Sequence, residues 1–149
     1  MELSPKEVRE VVLADHSALR VRLDLLRRAI RVADESGDPS ALMELLPSLL
    51  DHLSAHLALE DQLLAPTLKT IDAWGPERER RLAEEHGAQR AWIHECRRQL
   101  AANEGHTKEL ATQALVMIGR IEEDMKHEES EALGSHLLSD EVIHVDFGG

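Results

Sequence analysis

The sequence has very few aromatic residues, a single cysteine and no long apolar run. Only 2 % of its 149 residues are aromatic, so the core must be built from aliphatic side chains. The lone Cys96 excludes an intramolecular disulfide framework and a thiolate metal cluster. No stretch approaches the roughly 18 apolar residues that a membrane-spanning helix needs. The N-terminus also lacks the apolar segment of a signal peptide, so a cytoplasmic location is expected.

Basic residues are scarce relative to acidic ones. The 17 Lys and Arg residues against 29 Asp and Glu residues leave a net charge of −12. Nucleic acids and anionic membranes require basic surfaces, so neither is expected as a partner. The charge is compatible with a cation-binding interior, although most of the acidic side chains are expected on a solvated helix surface.

Apolar residues recur at intervals of three and four along four segments of the chain. Breaks rich in Gly, Pro, Ser or Asn separate these segments at residues 36–39, 74–76 and 103–105. The pattern predicts an all-α fold, an up-down-up-down antiparallel four-helix bundle over residues 1–139, followed by a tail at 140–149. Pro47 is expected to interrupt the second helix. The fourth helix is expected to run to about Leu138.

Ligand-type side chains lie on the predicted apolar stripes at matching depths. These candidates are His16, His56, Glu60, His86, His127 and Glu131. Each half of the chain has a histidine followed, about 40 residues later, by a His-x-x-x-Glu pair. The repeat predicts a pseudo-twofold bundle in which every helix contributes to one central polar site.

A buried set of four imidazoles and two carboxylates needs compensation, because an unpaired buried carboxylate costs several kcal/mol. Imidazole and carboxylate groups suit a pair of first-row transition ions, iron above all. A structural zinc site takes about four ligands, fewer than the six candidates. The pattern therefore favours a dinuclear metal centre.

At these residues the chain resembles the hemerythrin-like (HHE cation-binding) family, over residues 8–139. The resemblance implies two iron ions with an oxo or hydroxo bridge, for which zinc or manganese is an alternative occupant. It implies that His16 and His56 bind one iron, that His86 and His127 bind the other, and that Glu60 and Glu131 bridge them. One departure is Arg90, which stands where oxygen-carrying members have a second histidine on the third helix.

Three functions stay open at this point. The first is a binding protein that binds or senses dioxygen, peroxide, nitric oxide or iron, and the second is a di-iron enzyme of the peroxidase or catalase type. The third is a structural bundle that takes up adventitious zinc. Reversible oxygen transport is less expected because of Arg90. The expected partners are small ligands, and the expected state is a monomer or a homodimer.

The neighbours of the candidate ligands have two interpretations. Arg20 and Arg90 either hold an anion near the site or extend to the surface, and the surface is the stronger expectation. Asp15 and Glu85 are expected to contact a neighbouring helix or solvent rather than a ligand imidazole. His52 is expected to be partly exposed.

Overall fold

The computed structural model describes residues 2–102 and 107–139, which form four α-helices. These are α1 (Pro5–Ser36), α2 (Ser40–Ile71), α3 (Gly75–Ala102) and α4 (Thr107–Ser130). The described residues contain no β-strand. Consecutive helices pack against each other, and α4 also packs against α1, which closes an up-down-up-down bundle. The predicted fold class is confirmed.

Local signals explain the two ends of α1. The Ser4 side chain accepts a hydrogen bond from the Glu7 backbone N–H (3.2 Å), and the Glu7 carboxylate accepts one from the Ser4 N–H (3.1 Å). This reciprocal pair is a capping box. At the other end, Gly37 adopts a left-handed conformation (φ 73°), and its N–H donates to the Ala33 carbonyl at 3.0 Å.

Pro47 does not interrupt the second helix, so that prediction is wrong. α2 is continuous, and both Pro47 and Pro66 lie inside it. A proline inside a helix costs about 3 kcal/mol. Leu46, Leu49 and Leu50 are almost fully buried beside Pro47, and each buried leucine contributes about 1.5–3 kcal/mol. Tertiary packing therefore outweighs the lost helix hydrogen bond.

The fourth helix ends at Ser130 rather than near Leu138. The Leu133 N–H donates to the Glu128 carbonyl (2.8 Å), five residues back, and the chain continues as turns to residue 138. The Arg9 guanidinium donates to the Leu133 carbonyl at 2.7 Å. These bonds fold the segment against α1 and bury Leu133 and Leu138. The predicted tail at 140–149 lies outside the described residues.

The core consists of two apolar clusters. The larger cluster takes its buried residues from 19–30 of α1, 42–57 of α2, 93–96 of α3 and 110–125 of α4. The smaller cluster contains Val8, Val12, Leu64, Leu68, Leu82, Leu133 and Leu138. Cys96 is buried in the larger cluster, as a small packing residue. Among the described helices, none combines the length and apolarity needed to cross a membrane.

Candidate metal centre

A layer of buried polar side chains separates the two apolar clusters. This polar layer consists of His16 of α1, His56 and Glu60 of α2, His86 of α3 and Glu128 of α4. Each of these residues is at most 7 % exposed. His16, His56, Glu60 and Glu128 each offer one ligand atom, and these four atoms lie within 4.8 Å of one another.

The Glu60 carboxylate lies at the centre of the layer and reaches three helices. Its Oε1 is 3.2 Å from His56 Nε2 and 2.9 Å from His86 Nε2. Its Oε2 is 3.5 Å from His16 Nε2. One carboxylate thus has an oxygen beside each of the three imidazoles, a geometry that permits contact with two cations.

Glu128 approaches the same point from α4. Its Oε1 is 3.0 Å from His16 Nε2, yet the two groups are not aligned for a hydrogen bond. Within the described residues, His16 Nε2, Glu60 Oε2 and Glu128 Oε1 are all buried without a hydrogen-bond partner. An unsatisfied buried polar group costs about 1–3 kcal/mol. Three such atoms converging on one point are the donor set that a transition-metal ion takes, so the residues fit a cation.

A carboxylate outside the layer binds the Nδ1 atom of each histidine. The pairs are His16–Glu129 (2.8 Å), His56–Asp15 (2.6 Å) and His86–Asp61 (2.8 Å). A carboxylate at Nδ1 keeps the proton on that nitrogen and leaves the Nε2 lone pair for a metal. We call Asp15, Asp61 and Glu129 the outer carboxylates. Asp15 contacts the neighbouring helix α2, as expected, but its partners there include the imidazole of His56, which was the less expected interpretation.

Cationic or polar side chains hold the outer carboxylates in turn. Both terminal nitrogens of Arg20 donate to Glu129, at 2.8 and 2.7 Å. Arg90 donates to Asp61, and His52 Nε2 lies 3.0 Å from Asp15. Half of the Arg90 side chain is exposed, whereas that of His52 is 16 % exposed. The arginines therefore extend towards the surface and act on the layer only through these carboxylates.

A family model described as the hemerythrin HHE cation binding domain matches residues 8–134. The chain belongs to the hemerythrin HHE family. The match includes every residue of the polar layer and all three outer carboxylates. Comparisons with curated proteins and with solved structures found no match. Membership in this family and the buried His/Glu cluster together identify a metal-binding protein.

The charges of the HHE domain's polar layer are strongly coupled. Burial acts to lower the pKa of His16, but the carboxyl groups of Glu128 and Glu60 raise this pKa to about 10. Burial acts to raise the pKa of Glu60, yet Glu128 and the three histidines lower it. The pKa of Glu128 is raised well above its usual value by burial and by Glu60. Without a cation, the pKa values of the two glutamates are therefore shifted in opposite directions, and the layer favours the ionised form of Glu60 and the protonated form of Glu128.

The HHE domain does not bring His127 and Glu131 into the polar layer, contrary to the sequence prediction. Their side chains are 55 % and 58 % exposed, and they form a loose pair with 3.9 Å between Nε2 and Oε2. The buried positions of α4 are Leu110, Ala114, Ile118, Ile121, Met125 and Glu128. The sequence prediction placed His127 on the inward face instead, one position before the buried Glu128. The apolar residues Ile118 and Met125 lie on the same helical face as Glu128, so their spacing could have predicted that Glu128 is buried.

A small cavity connects Glu128 with the surface of the HHE domain. It has a volume of about 40 Å³ and lies between α3 and α4. Its lining includes Leu82, Glu85, Glu128, His127 and Glu131. His127 and Glu131 therefore border a route to the polar layer. Burial and the charge of Asp124 raise the pKa of Glu85 on this route.

Proposed function

We propose that this HHE domain binds two iron ions and uses them to bind or sense dioxygen, peroxide, nitric oxide or iron itself. The observation that carries the proposal is the position of Glu60, whose carboxylate lies beside the imidazoles of His16, His56 and His86. One carboxylate between histidines of three helices suits two adjacent cations better than one. Zinc and manganese are alternative occupants of the same donor set.

We assign His16 and His56 to the first cation, because their ligand atoms and those of Glu60 and Glu128 lie within 4.8 Å of one another. We assign His86, which lies 2.9 Å from Glu60 Oε1, to the second. Glu60 and Glu128 would be the carboxylates that both cations share, with Glu128 in the role that the family resemblance implied for Glu131. Bound iron supplies redox chemistry and Lewis acidity. The protein supplies buried, oriented nitrogen and oxygen ligands with apolar clusters on both sides.

The size of the route to the layer favours a small ligand. A water molecule needs about 10–15 Å³ of cavity volume. The cavity of about 40 Å³ beside Glu128 thus admits a diatomic molecule or a peroxide, and it is too small for an organic substrate. The net charge of −12 disfavours a nucleic acid or an anionic membrane as partner. We propose a cytoplasmic monomer or homodimer that works on small molecules.

Arg90 disfavours reversible oxygen transport. It lies one helical turn after His86, is exposed and pairs with Asp61, so it adds no ligand to the second cation. Because this position supplies no ligand, a cation held by His86 would be more open to an exogenous ligand. Such access at both cations would favour reaction with the ligand over its unchanged release.

Glu85 favours a second candidate function, a peroxidase- or catalase-type enzyme that removes peroxide or nitric oxide. Glu85 is half-buried, lines the cavity and is not one of the proposed ligands. Its pKa is raised by burial and by Asp124, so its carboxyl group is suited to move a proton to or from a ligand in the cavity.

Metal analysis with an absorption spectrum tests the proposal, on protein purified from cells supplied with iron. We expect two irons per chain and charge-transfer absorption, and His94→Ala on the exposed face of α3 should retain both. A colourless protein with one zinc would contradict the proposal. Hydrogen peroxide is then added with and without an electron donor, and peroxide consumption and oxygen release are followed over time. Repeated turnover of peroxide supports the enzyme, and a single stoichiometric reaction supports the binding protein.

A further inference from the structure

The contacts around the polar layer repeat between the two halves of the chain. His16 and Arg20 on α1 both bind Glu129, and His86 and Arg90 on α3 both bind Asp61. The α1 and α3 residues of these pairs are 70 positions apart in sequence, and the two carboxylates are 68 positions apart. The two halves are therefore alike in their side-chain contacts as well as in their sequences.

The same offset relates the two carboxylates of the polar layer. Glu60 and Glu128 are 68 positions apart, and each has a buried oxygen without a partner. Each is followed directly by an outer carboxylate, Asp61 or Glu129. The α2 and α4 segments are thus equivalent, position by position, around the layer.

The residue 68 positions after His56 is Asp124. His56 and Asp124 each lie one helical turn before the central glutamate of their helix, so they share its face. His56 is oriented by Asp15, at 2.6 Å from Nδ1. Asp124 Oδ2 accepts a hydrogen bond at 3.0 Å from the amide of Gln89, which is only 6 % exposed. Both side chains are therefore held by a bond from the preceding helix of their half.

We propose that Asp124 is a ligand of the second cation, in the place that His56 holds for the first. This inference rests on the proposed two-cation function. Gln89 is a positioning residue, because its bond to Oδ2 leaves Oδ1 of Asp124 for the metal. The first cation then has two imidazoles, and the second has one imidazole and one extra carboxylate.

This difference makes the two metal positions chemically unequal. An aspartate in place of a histidine adds a negative charge and exchanges a nitrogen for a hard oxygen ligand. Carboxylate-rich positions suit harder cations, such as manganese or ferric iron, whereas imidazole-rich positions also suit zinc. The two positions should therefore fill in separate steps.

Titration of the metal-free protein with ferrous iron under anaerobic conditions tests the inference, with iron per chain and the ⁵⁷Fe Mössbauer spectrum as readouts. Wild type should bind two irons with two distinct signals. Asp124→Ala should bind one iron, a twofold loss, and Asp124→Asn should weaken the second binding step by about tenfold or more. Asp124→His should retain two irons whose signals become more alike.

Glu123→Ala is the matched control, since this exposed neighbour on α4 should bind iron as wild type does. Circular dichroism checks that each variant keeps its helices, and Asp124→Asn is nearly isosteric if the alanine variant unfolds. A wild type with two irons and an unchanged Asp124→Asn spectrum would overturn this inference alone. A wild type that takes one iron or none would overturn the two-cation function as well.

Discussion

The two halves of the bundle contribute equivalent residues to the polar layer, but they differ in how many apolar side chains they bury. Helices α1 and α2 bury seven and eight apolar side chains, whereas the described parts of α3 and α4 bury three and five. The cavity that reaches Glu128 lies between the more thinly packed pair. The comparison teaches that the first half packs more apolar side chains around the polar layer, whereas the second half leaves a small cavity beside it.

The halves also differ in how they orient their ligands. In the first half, Asp15 binds His56 Nδ1 and also lies 3.0 Å from His52 Nε2. The equivalent residue of the second half is Glu85, whose pKa is raised by burial and by the charge of Asp124. The pair of Asp15 and His56 in the first half thus corresponds to the two carboxylates of Glu85 and Asp124 in the second half.

The largest expected effect is a difference in metal content between variants of Glu60 and Glu128, the two glutamates of the polar layer. Glu60→Gln should lose both cations, because Glu60 lies beside all three imidazoles. Glu128→Gln should retain one cation, because its closest imidazole contact is His16 alone. A ligand at 100 times its Kd stabilises a protein by about 2.7 kcal/mol, and this gain should vanish in Glu60→Gln. Iron per chain and Tm with and without iron measure both effects, and equal losses in the two variants would remove the distinction.

The next effect compares the residues that precede His16 and His86. Asp15→Asn should weaken metal binding by about 10–100-fold, because it removes the charged acceptor that orients His56. Glu85→Gln should change affinity little, since no imidazole bond to Glu85 occurs among the described residues. Competition with a chelator of known affinity measures both constants. A Glu85→Gln variant as weak as Asp15→Asn would show that the halves orient their ligands alike.

A third effect is a pH dependence that cation binding should remove. In the metal-free protein, His16 has a pKa raised from 6.5 to about 10 by Glu128 and Glu60, against burial. Its contribution to stability is therefore complete below pH 6.5 and is lost as the pH rises towards 10. The raised pKa of Glu128 acts with the same sign.

We therefore expect the urea concentration at the unfolding midpoint of the metal-free protein to decrease as the pH rises from 6.5 to 10. Over the same range cation affinity should rise, because a metal displaces these protons. Urea titrations at several pH values, with and without iron, measure both trends. A metal-free midpoint that does not change with pH would contradict the prediction.

The smallest expected effect concerns the exposed pair on α4. His127→Ala and Glu131→Ala should keep full metal content, because both side chains are more than half exposed and lie outside the polar layer. An exposed pair at i,i+4 is worth at most a few tenths of a kcal/mol, so Tm should barely move. Metal analysis beside Glu128→Gln checks this result. Loss of a cation in either alanine variant would contradict this prediction and would show that the substituted residue is a metal ligand.

Much of the fold and part of the candidate site were predictable from local spacing. The three- and four-residue intervals predicted four helices, and His16, His56, Glu60 and His86 are buried together as their positions on the stripes indicated. The fourth helix was misjudged, because His127 and Glu128 are adjacent and both are ligand types. Neighbours on a helix point about 100° apart, and the sequence alone did not decide which of the two faces inward.

The sequence by itself determined the inward faces of the first three helices, the breaks between the four helices and the repeat of the two halves, because these depend on short-range periodicity. Only the tertiary structure decided that Ile118 and Met125 turn Glu128 inward and that His127 faces solvent. It also decided the three bonds between histidines and outer carboxylates, which join residues 25 to 113 positions apart. Such contacts depend on how whole helices pack, a property that no local pattern contains.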